Sequence, residues 1–282
     1  MANVIKIKKG LDINLKGKAS DVLLNGGKSD SYAIVPDYYN GIVPKVVAKV
    51  GEKVKAGSVL MIDKNRPEIK FVSPVSGEVT AVNRGEKRKV LSVVVKPEAQ
   101  IEYEDFGKKN VASLKREEVK EAILHAGMWP FIKQRPYDIV ASPADEPRDI
   151  FVSAFYSAPL APNFDFVVKG QEVDFQTGLD ALAKLTDGKV YVGIRKGSSV
   201  SVKGVETVEV EGPHPAANVG VQINHIKPIN KGEVVWTVNP ADVIVIGRLF
   251  NKGIADFSRL VVITGSETTE RGYVKAIAGC TI

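Results

Sequence analysis

The residues best suited to bind a ligand lie in two aromatic loops. Residues 36–41 read Pro-Asp-Tyr-Tyr-Asn-Gly, and residues 129–137 read Trp-Pro-Phe-Ile-Lys-Gln-Arg-Pro-Tyr. Flat apolar side chains with a few polar tips suit a planar hydrophobic ligand such as a quinone head group. Core packing explains the same residues at least as well. The candidates for quinone contact are Pro36, Asp37, Tyr38, Tyr39, Trp129, Phe131, Lys133, Arg135 and Tyr137.

His214 is a further candidate, because it stands between two prolines in the run Gly-Pro-His-Pro-Ala-Ala at residues 212–217. Flanking prolines stiffen the backbone, which suits a loop that contacts a ligand. The alternative is a structural turn whose imidazole bonds a carbonyl. No neighbouring Ser, Cys or carboxylate motif makes this histidine the base of a nucleophile, so the sequence predicts no catalytic residue.

Cys280 is the only cysteine, and the histidines are His125, His214 and His225. A disulfide, a thiolate iron–sulfur cluster and a CxxC redox pair are therefore excluded within this chain. A structural zinc site is strongly disfavoured for the same reason. We expect no metal site.

The composition is that of a soluble protein with room for two domains. The 282 residues are 44% hydrophobic and 26% charged, with a formal charge of +6. No apolar run reaches the ~18 residues that span a bilayer, and the start lacks the h-region of a secretory signal, so we expect a cytoplasmic protein. The lysine-rich clusters favour a solvated surface over nucleic-acid binding, because no aromatic residues are interleaved with them. An anionic membrane or an acidic partner subunit remains an alternative.

Two similar turns 34 positions apart indicate a repeated β unit. Residues 50–55 read Val-Gly-Glu-Lys-Val-Lys, and residues 84–89 read Arg-Gly-Glu-Lys-Arg-Lys. Each turn follows an apolar-alternating run and leads into another. With glycine at the same position of both turns, the pattern predicts two quasi-symmetric halves that close one small β sandwich.

The segment between these halves resembles the biotinyl/lipoyl carrier domain, whose hairpin tip presents a modifiable lysine. Residues 63–67 read Asp-Lys-Asn-Arg-Pro, and residues 71–77 read Phe-Val-Ser-Pro-Val-Ser-Gly. Counting back from Pro74, the position of that lysine is Arg66. Since an arginine cannot be biotinylated or lipoylated, we expect a carrier fold that holds neither biotin nor lipoate.

Beyond residue 105 the apolar period predicts an α/β layer. Helices are expected from the N-cap Ser113 to Gly127, through residues 175–185, and from the N-cap Asn239 with Pro240 to Gly253. Buried strands are expected at residues 150–156, 189–194 and 205–210. A strand, helix and strand of this size form a βαβ crossover, which predicts a Rossmann-like layer.

This layer lacks the motifs of nucleotide binding. No GxGxxG follows a predicted strand. The turn Gly-Ile-Arg-Lys-Gly-Ser-Ser at residues 193–199 could grip a phosphate, although a basic surface turn is favoured. Two further strands, at residues 260–263 and 273–277, have little left in the chain to pack against, so we expect the sequence to stop inside a third domain.

Many ordered matches show that the whole chain resembles one family, the A subunits of the bacterial sodium-translocating NADH:quinone oxidoreductase (the Nqr complex). The markers are Ile-Lys-Lys-Gly-Leu-Asp at 7–12, Asp-Lys-Asn at 63–65, Lys-Phe at 70–71, Pro74, Asn-Arg-Gly at 83–85, Lys-Arg at 87–88, Leu-Ser-Val-Val at 91–94, Gly-Leu-Asp at 178–180, Gly-Lys-Val-Tyr-Val at 188–192, Gly-Pro-His-Pro-Ala at 212–216 and Gly-Arg-Leu-Phe at 247–250.

The resemblance implies the fold and its divisions. Residues 1–104 would form a biotinyl/lipoyl-carrier-like β barrel-sandwich domain. Residues 105–256 would form a Rossmann-like α/β domain related to the flavin- and NADH-binding subunit of respiratory complex I. Residues 257–282 would begin a β-grasp domain of the SLBB type, and because the family's chains are longer, a truncated form is expected.

The resemblance also implies a function. In this family the protein is a peripheral subunit on the cytoplasmic side of the bacterial inner membrane, in an enzyme complex that passes electrons from NADH to quinone and exports sodium ions. We therefore expect the other Nqr subunits and a non-covalent ubiquinone or menaquinone as partners, NADH oxidised elsewhere in the complex, no nucleic acid, and a soluble isolated chain. Quinone would be bound or positioned by the aromatic loops, with Lys133 or Arg135 donating to a quinone carbonyl.

No FMN or iron–sulfur cluster is expected. Relatives that hold FMN use a glycine-rich loop and a Glu-x-Glu-Pro segment, and the corresponding stretches here are residues 126–131 and 153–159. Bulky residues replace the glycines that let backbone approach a phosphate, and both glutamates are missing. The alternatives are a purely structural assembly subunit, an FMN- and NADH-binding dehydrogenase subunit, and a biotin or lipoyl carrier.

Overall fold

The computed structural model describes residues 4–281, which form two compact units, each built from several segments of the chain. The first unit contains the chain up to Gly26, Glu146–Gly247 and Arg259–Ala276. The second contains Gly27–Asp145, Arg248–Ser258 and the chain from Ile277. The boundaries expected at residues 104 and 256 stay a prediction.

The elements of secondary structure are short and numerous. The strands are β1 Val4–Lys6, β2 Tyr32–Ile34, β3 Pro44–Val46, β4 Lys53–Val54, β5 Val59–Asp63, β6 Lys70–Val72, β7 Gly77–Arg84, β8 Val90–Pro97, β9 Ile132–Arg135, β10 Ile139–Val140, β11 Ile150–Ser153, β12 Val190–Arg195, β13 Glu206–Glu211, β14 Val235–Val238, β15 Ser258–Ile263 and β16 Gly272–Ile277. The helices are α1 Arg116–His125, α2 Phe164–Val168, α3 Glu172–Lys184, α4 Val219–Ile226 and α5 Pro240–Lys252.

The second unit contains two antiparallel sheets, in the orders β2-β8-β7-β4 and β3-β5-β6. Buried and exposed residues alternate along parts of β7 and β8, whereas consecutive residues are buried in β5 and β6. Leu60 of β5 and Val79, Val93 and Val95 of β7 and β8 are fully buried in one core. A β sandwich is therefore confirmed for this part of the chain.

The two similar turns do not have the same structure. Gly51 takes a left-handed conformation (φ +86°), as a tight turn requires. Gly85 does not (φ −97°), and the left-handed positions of the second turn are Lys87 and Arg88. Strands β7 and β8 form one long hairpin, whereas β4 and β5 join different sheets. The predicted quasi-symmetry is therefore wrong at its turns, because each half pairs differently.

Parallel strands form the centre of the first unit. Pairing runs β1-β13-β12-β11-β14, and each of these pairs is parallel. Helix α3 lies between β11 and β12 in the chain, so the predicted βαβ crossover is confirmed. In α3 the buried side chains Phe175, Leu179 and Leu182 follow helical spacing.

The predicted helix ends are confirmed in part. Asn239 accepts a hydrogen bond from the Ala241 N–H (3.0 Å), and α5 starts at Pro240 as expected. Helix α1 starts at Arg116 rather than after Ser113, because Val111–Ser113 forms a separate 3-10 turn. Its end at Gly127 (φ +68°) agrees with the prediction.

The two tail strands pack better than their sequence indicated. Strands β15 and β16 form a two-stranded sheet. Tyr273 of β16 is 2% exposed, its ring centroid lies 4.6 Å from that of Phe166, and its hydroxyl accepts from the Asn163 N–H. The expectation that these strands lack packing partners is therefore wrong, since partners come from distant parts of the chain.

A buried carboxylate precedes the central strand β11. Asp149 is fully buried and accepts hydrogen bonds from Arg148 Nε (2.7 Å), Lys227 Nζ (2.8 Å) and the Lys189 N–H (3.1 Å). Burial alone raises the pKa of Asp149, but the bonds from Lys227, Lys189 and Arg148 outweigh it and hold the pKa below its ordinary value of 3.8. The carboxylate therefore contributes stability above pH 3.8, which is lost as the pH falls through its lowered pKa.

Asp149→Asn should lower the free energy of unfolding by about 3 kcal/mol at neutral pH, because it removes the buried carboxylate that Arg148 and Lys227 bond. Urea unfolding measures the effect, with the exposed Asp145→Asn as control. The difference in free energy of unfolding between the wild type and D149N should become smaller below pH 3.8. A D149N variant as stable as D145N would contradict this account.

Candidate functional site

The two aromatic loops lie in the second unit and meet through backbone and side-chain bonds. Residues 36–41 include the 3-10 turn Pro36–Tyr38, and residues 129–137 include the 3-10 turn Trp129–Phe131 and strand β9. The Val140 N–H donates to Asn40 O (2.9 Å), and Asn40 Nδ2 donates to Asp138 O (3.5 Å). These bonds bring the first loop against the β9–β10 hairpin.

Tyr39 is the point of contact between the loops. Its ring meets that of Phe71 edge to face, with centroids 4.9 Å apart. Lys133 Nζ lies 5.1 Å from the centroid of the same ring, within the range of a cation–π interaction. An aromatic ring and a cation are therefore placed side by side, with the Lys133 Nζ atom itself buried.

Tyr38 and Tyr137 are each 78% exposed, far more than a packed tyrosine. Asp37 pairs with Lys89 (2.6 Å), and Arg135 pairs with Asp138 (3.4 Å), so both charges are engaged at the surface. Pro36 is buried. We call Tyr38, Tyr39, Lys133, Arg135 and Tyr137 the aromatic–cationic surface.

Trp129 and Phe131 have a different role. Trp129 is fully buried, and its Nε1 donates to Ala141 O (2.8 Å). Phe131 packs edge to face on Phe257, with centroids 6.0 Å apart. Trp129 fills the interior and Phe131 is half-buried against it, which is the alternative that the sequence left open, while Tyr38 and Tyr137 face outward.

Arg66 fixes the hairpin tip at the position where a carrier domain presents its lysine. Its Nε donates to Asp63 Oδ2 (2.8 Å), its Nη1 to Val140 O (3.1 Å) and its Nη2 to Gly41 O (2.9 Å). Asp63 is fully buried and also accepts from the Val43 and Asn65 N–H groups. A guanidinium suits this task because its planar fork bonds several acceptors at once.

His214 lies in the first unit. Its Nδ1 and Ser157 Oγ are 3.0 Å apart, and Ser157 Oγ also accepts from the Ala217 N–H (3.0 Å). Asp12 accepts from the His214 backbone N–H rather than from the ring. The imidazole therefore bonds a hydroxyl, not the carbonyl expected from the sequence, and no described carboxylate orients it as a base. Ser157 was missed because it is distant in the chain.

The crevice where an α/β sheet would bind a nucleotide is filled by side chains. In the order β13-β12-β11-β14, the chain adds β12 and β13 on one side of β11 and β14 on the other side. The strand order therefore reverses between β11 and β14, and α/β sheets bind ligands at the carboxyl ends of the strands at such a point. There Tyr156 Oη bonds Asn239 Oδ1 (3.4 Å). Burial, together with the nearby charge of Asp242, raises the pKa of Tyr156 to about 12. This phenol is therefore a neutral structural donor.

Two further groups close the same edge of the sheet. The buried Gln222 side chain covers Gly193 and donates to Ser153 Oγ (2.9 Å). In the turn that follows β12, Ser198 Oγ (2.8 Å) and the Ser199 N–H (2.6 Å) and Oγ (2.8 Å) donate to one oxygen of Asp165. The donors that could hold a phosphate are therefore taken by the chain's own carboxylate.

The described part of the chain, residues 4–281, has no group of three His, Cys, Asp or Glu side chains placed to hold a metal ion. Within the same residues, no helix combines the length and apolar character needed to cross a bilayer.

The fold defines the class: a mixed α+β protein that combines a β sandwich with a part built on parallel strands and helices. In the β sandwich, Arg66 holds the hairpin tip in place. Comparisons identify the family. Residues 5–98 match the model of the NqrA N-terminal barrel-sandwich hybrid domain, and residues 114–255 match that of the NqrA second alpha/beta domain. The chain belongs to the NqrA family.

Curated relatives agree with this assignment. The chain is 36% identical to a protein of Neisseria meningitidis serogroup A over 284 residues and 36% identical to one of Hahella chejuensis. It is 34% identical to one of Photorhabdus laumondii. Each is named as the A subunit of a Na(+)-translocating NADH-quinone reductase. The matches cover 98–99% of this chain, which spans 63–64% of the length of these relatives. The family predicted from the sequence is confirmed.

Replacing Arg66 tests whether the hairpin tip depends on its bonds. Arg66→Ala should lower the free energy of unfolding by about 3 kcal/mol, because the buried Asp63 carboxylate loses its cationic partner. Arg66→Lys keeps the charge but loses the bonds to Val140 and Gly41, and should cost about 1–2 kcal/mol. Urea unfolding measures both, with exposed Arg84→Lys as the matched control. If R66K were no less stable than R84K, the three-way bonding of the guanidinium would be unimportant.

Proposed function

We propose that this chain is part of the NqrA component of a Na⁺-translocating NADH:quinone reductase and that it binds or positions quinone for that complex. The observation that carries the proposal is the match to relatives of that name along nearly the whole chain. The chain supplies no redox group of its own, since no side chain in the site stores an electron. Its contribution to the enzyme is ligand positioning and assembly.

The aromatic–cationic surface supports the quinone part of the proposal. The exposed rings of Tyr38 and Tyr137 offer flat faces to a planar ring system. Lys133 and Arg135, two residues apart on β9, share one side of that strand. Arg135 would donate a hydrogen bond to a quinone carbonyl and stabilise the negative charge that develops on reduction. Lys133, whose Nζ atom is buried, would do so only after its side chain turns outward. The ligand would be ubiquinone or menaquinone, held non-covalently.

The packing of residues 126–131 favours a chain without FMN. Ala126, Met128 and Trp129 are fully buried, and the space beside Gly127 is filled by Val72. A flavin phosphate needs exposed backbone N–H groups at such a loop. The proposed role therefore includes no flavin. It also assigns no part to iron–sulfur clusters, biotin or lipoate, and NADH would be oxidised elsewhere in the complex.

The wider setting follows from the family. We infer that the α/β part is Rossmann-like, which the reversal of strand order beside β11 supports. We also infer that β15 and β16 begin a β-grasp domain of the SLBB type. The partners would be the other Nqr subunits, and the chain would lie peripherally on the cytoplasmic face of the bacterial inner membrane, with no nucleic acid involved.

A structural assembly subunit is the second candidate, and one observation favours it. Of the aromatic residues in the two loops, Trp129 is fully buried and Phe131 packs on Phe257, so part of the predicted site is core. In this case membrane partners would bind quinone, and deletion of the chain would abolish assembly. The outcome of a titration with a quinone analogue separates the two candidates.

Replacing both exposed tyrosines tests the proposed site. Tyr38→Ala with Tyr137→Ala should weaken binding of a quinone analogue about tenfold, since two stacking faces are lost. The thermal midpoint should not change, because both rings are 78% exposed. Calorimetry on the 282-residue chain and on the assembled complex measures the affinity.

Two variants serve as controls for this titration. Val173→Ala, at a side chain 73% exposed in the other unit, should leave the affinity unchanged. Trp129→Ala should instead lower the free energy of unfolding by about 3–5 kcal/mol, since it empties a fully buried site. If the variant without both tyrosines still binds the quinone analogue saturably with wild-type affinity, the proposed site is refuted. If the 282-residue chain alone does not bind the analogue and only the assembled complex does, the structural candidate is favoured.

A further inference from the structure

A basic, apolar strap lies on the surface of the first unit. The strap, residues 8–18, reads Lys-Lys-Gly-Leu-Asp-Ile-Asn-Leu-Lys-Gly-Lys and contains no regular secondary structure. Leu11, Ile13 and Leu15 are 70%, 55% and 54% exposed. The Leu15 N–H donates to Ile13 O (3.0 Å), so the backbone makes a tight turn between these two residues, and each of the three side chains is still more than half exposed. Three neighbouring aliphatic side chains therefore face solvent, which is unusual for a packed surface.

The backbone of the strap is held at both ends. Near its start, the Leu11 N–H donates to His214 O (2.9 Å), and Asp12 accepts from the His214 N–H (2.8 Å). Near its end, Gly17 (φ +95°) passes so close to Gly265 that a side chain would not fit, and the Gly265 N–H donates to Gly17 O (3.0 Å). The backbone of the strap is therefore bonded to the fold at both ends, while the side chains of Leu11, Ile13 and Leu15 remain exposed.

Charge surrounds these apolar side chains. Two lysines precede them and two follow them: Lys8, Lys9, Lys16 and Lys18. Among the described residues these four make no ion pair, whereas the neighbouring Lys6 pairs with Glu211 (3.3 Å). The acids nearby in the chain bond neutral groups rather than these lysines, Asp12 the His214 N–H and Asp21 Asn163 Nδ2 (2.8 Å). Four lysines against these two carboxylates still leave an excess of positive charge around the strap.

We propose that the strap is a docking surface for an anionic lipid bilayer. Leu11, Ile13 and Leu15 would enter the boundary between headgroups and acyl chains, while the lysines at both ends bind lipid phosphates. A polybasic segment beside inserted apolar residues is attracted by the negative surface potential of such a membrane. Free lysines on both sides of the apolar residues favour a headgroup layer over a protein groove, which would have to supply acids at both ends.

This inference does not depend on quinone binding. The strap lies in the first unit, whereas the aromatic–cationic surface lies in the second. A tyrosine variant that still binds the quinone analogue would not count against vesicle binding by the strap. A strap variant that still binds vesicles would likewise not count against the quinone site.

Co-sedimentation of the 282-residue chain with lipid vesicles tests the strap. The probes are vesicles of phosphatidylcholine alone and of phosphatidylcholine mixed with phosphatidylglycerol. The wild type should prefer the anionic vesicles, and binding should fall with added salt. Leu11→Ser, Ile13→Ser and Leu15→Ser together should weaken binding at least about tenfold, and so should Lys8→Gln, Lys9→Gln, Lys16→Gln and Lys18→Gln together.

Matched controls use exposed residues elsewhere in the chain. Val50→Ser with Val173→Ser, at side chains 62% and 73% exposed, should bind like wild type. Substitution of the exposed Lys28, Lys45, Lys64 and Lys108 by glutamine should have a much smaller effect than the loss of the strap lysines. Far-UV circular dichroism checks folding, and the lysine variant decides the matter if the apolar variant fails to fold.

Equal binding to both kinds of vesicle would overturn the proposal, and so would strap variants that bind like wild type. Capture by another protein of the complex without any vesicle binding would also overturn it and would assign the strap to a protein interface.

Discussion

The ion pair between Arg66 and the buried Asp63 is the interaction on which the β sandwich and its loops depend. Asp63 ends β5 with no exposure to water, and an unpaired carboxylate there would be very costly. Arg66 offsets that cost and uses its remaining N–H groups to bond the carbonyls of Gly41 and Val140. One side chain therefore joins the hairpin tip, the first aromatic loop and the β10 strand.

This bonding changes what the hairpin can do. A carrier domain needs a tip whose modified side chain is free to move, whereas three bonded N–H groups hold the side chain of Arg66 in place. The same bonds place the first loop where Tyr39 contacts both Phe71 and Lys133. In the first unit, Tyr156, Asn239 and Gln222 occupy the sheet edge where a nucleotide would bind. Both parts of the chain thus fill the sites that related folds keep open.

Much of the fold could be predicted from local sequence. Helix α5 was predictable because Asn239 and Pro240 are a strong start signal, and α3 because its apolar side chains follow helical spacing. Helix α4 was missed, since Gln222 interrupts its apolar pattern and is buried only through bonds to Ser153 and Ala216. Local signals do not reveal such partners.

The site was harder to predict for the same reason. Aromatic residues occur both in cores and at binding surfaces, so their type alone does not give their role. The structure shows that Trp129 is a core residue bonded to Ala141 O and that Tyr38 is exposed. Arg66 could be placed at the hairpin tip from the sequence, but its partners Gly41 and Val140 lie far away in the chain. Tertiary contacts decide these roles.

The most direct test of the account is photo-cross-linking of the assembled complex with a quinone analogue, followed by mass spectrometry of this chain. Adducts are expected on residues 36–39 or 133–137, and excess quinone should compete them away. Competed adducts confined to other subunits, or to other parts of this chain, would contradict it.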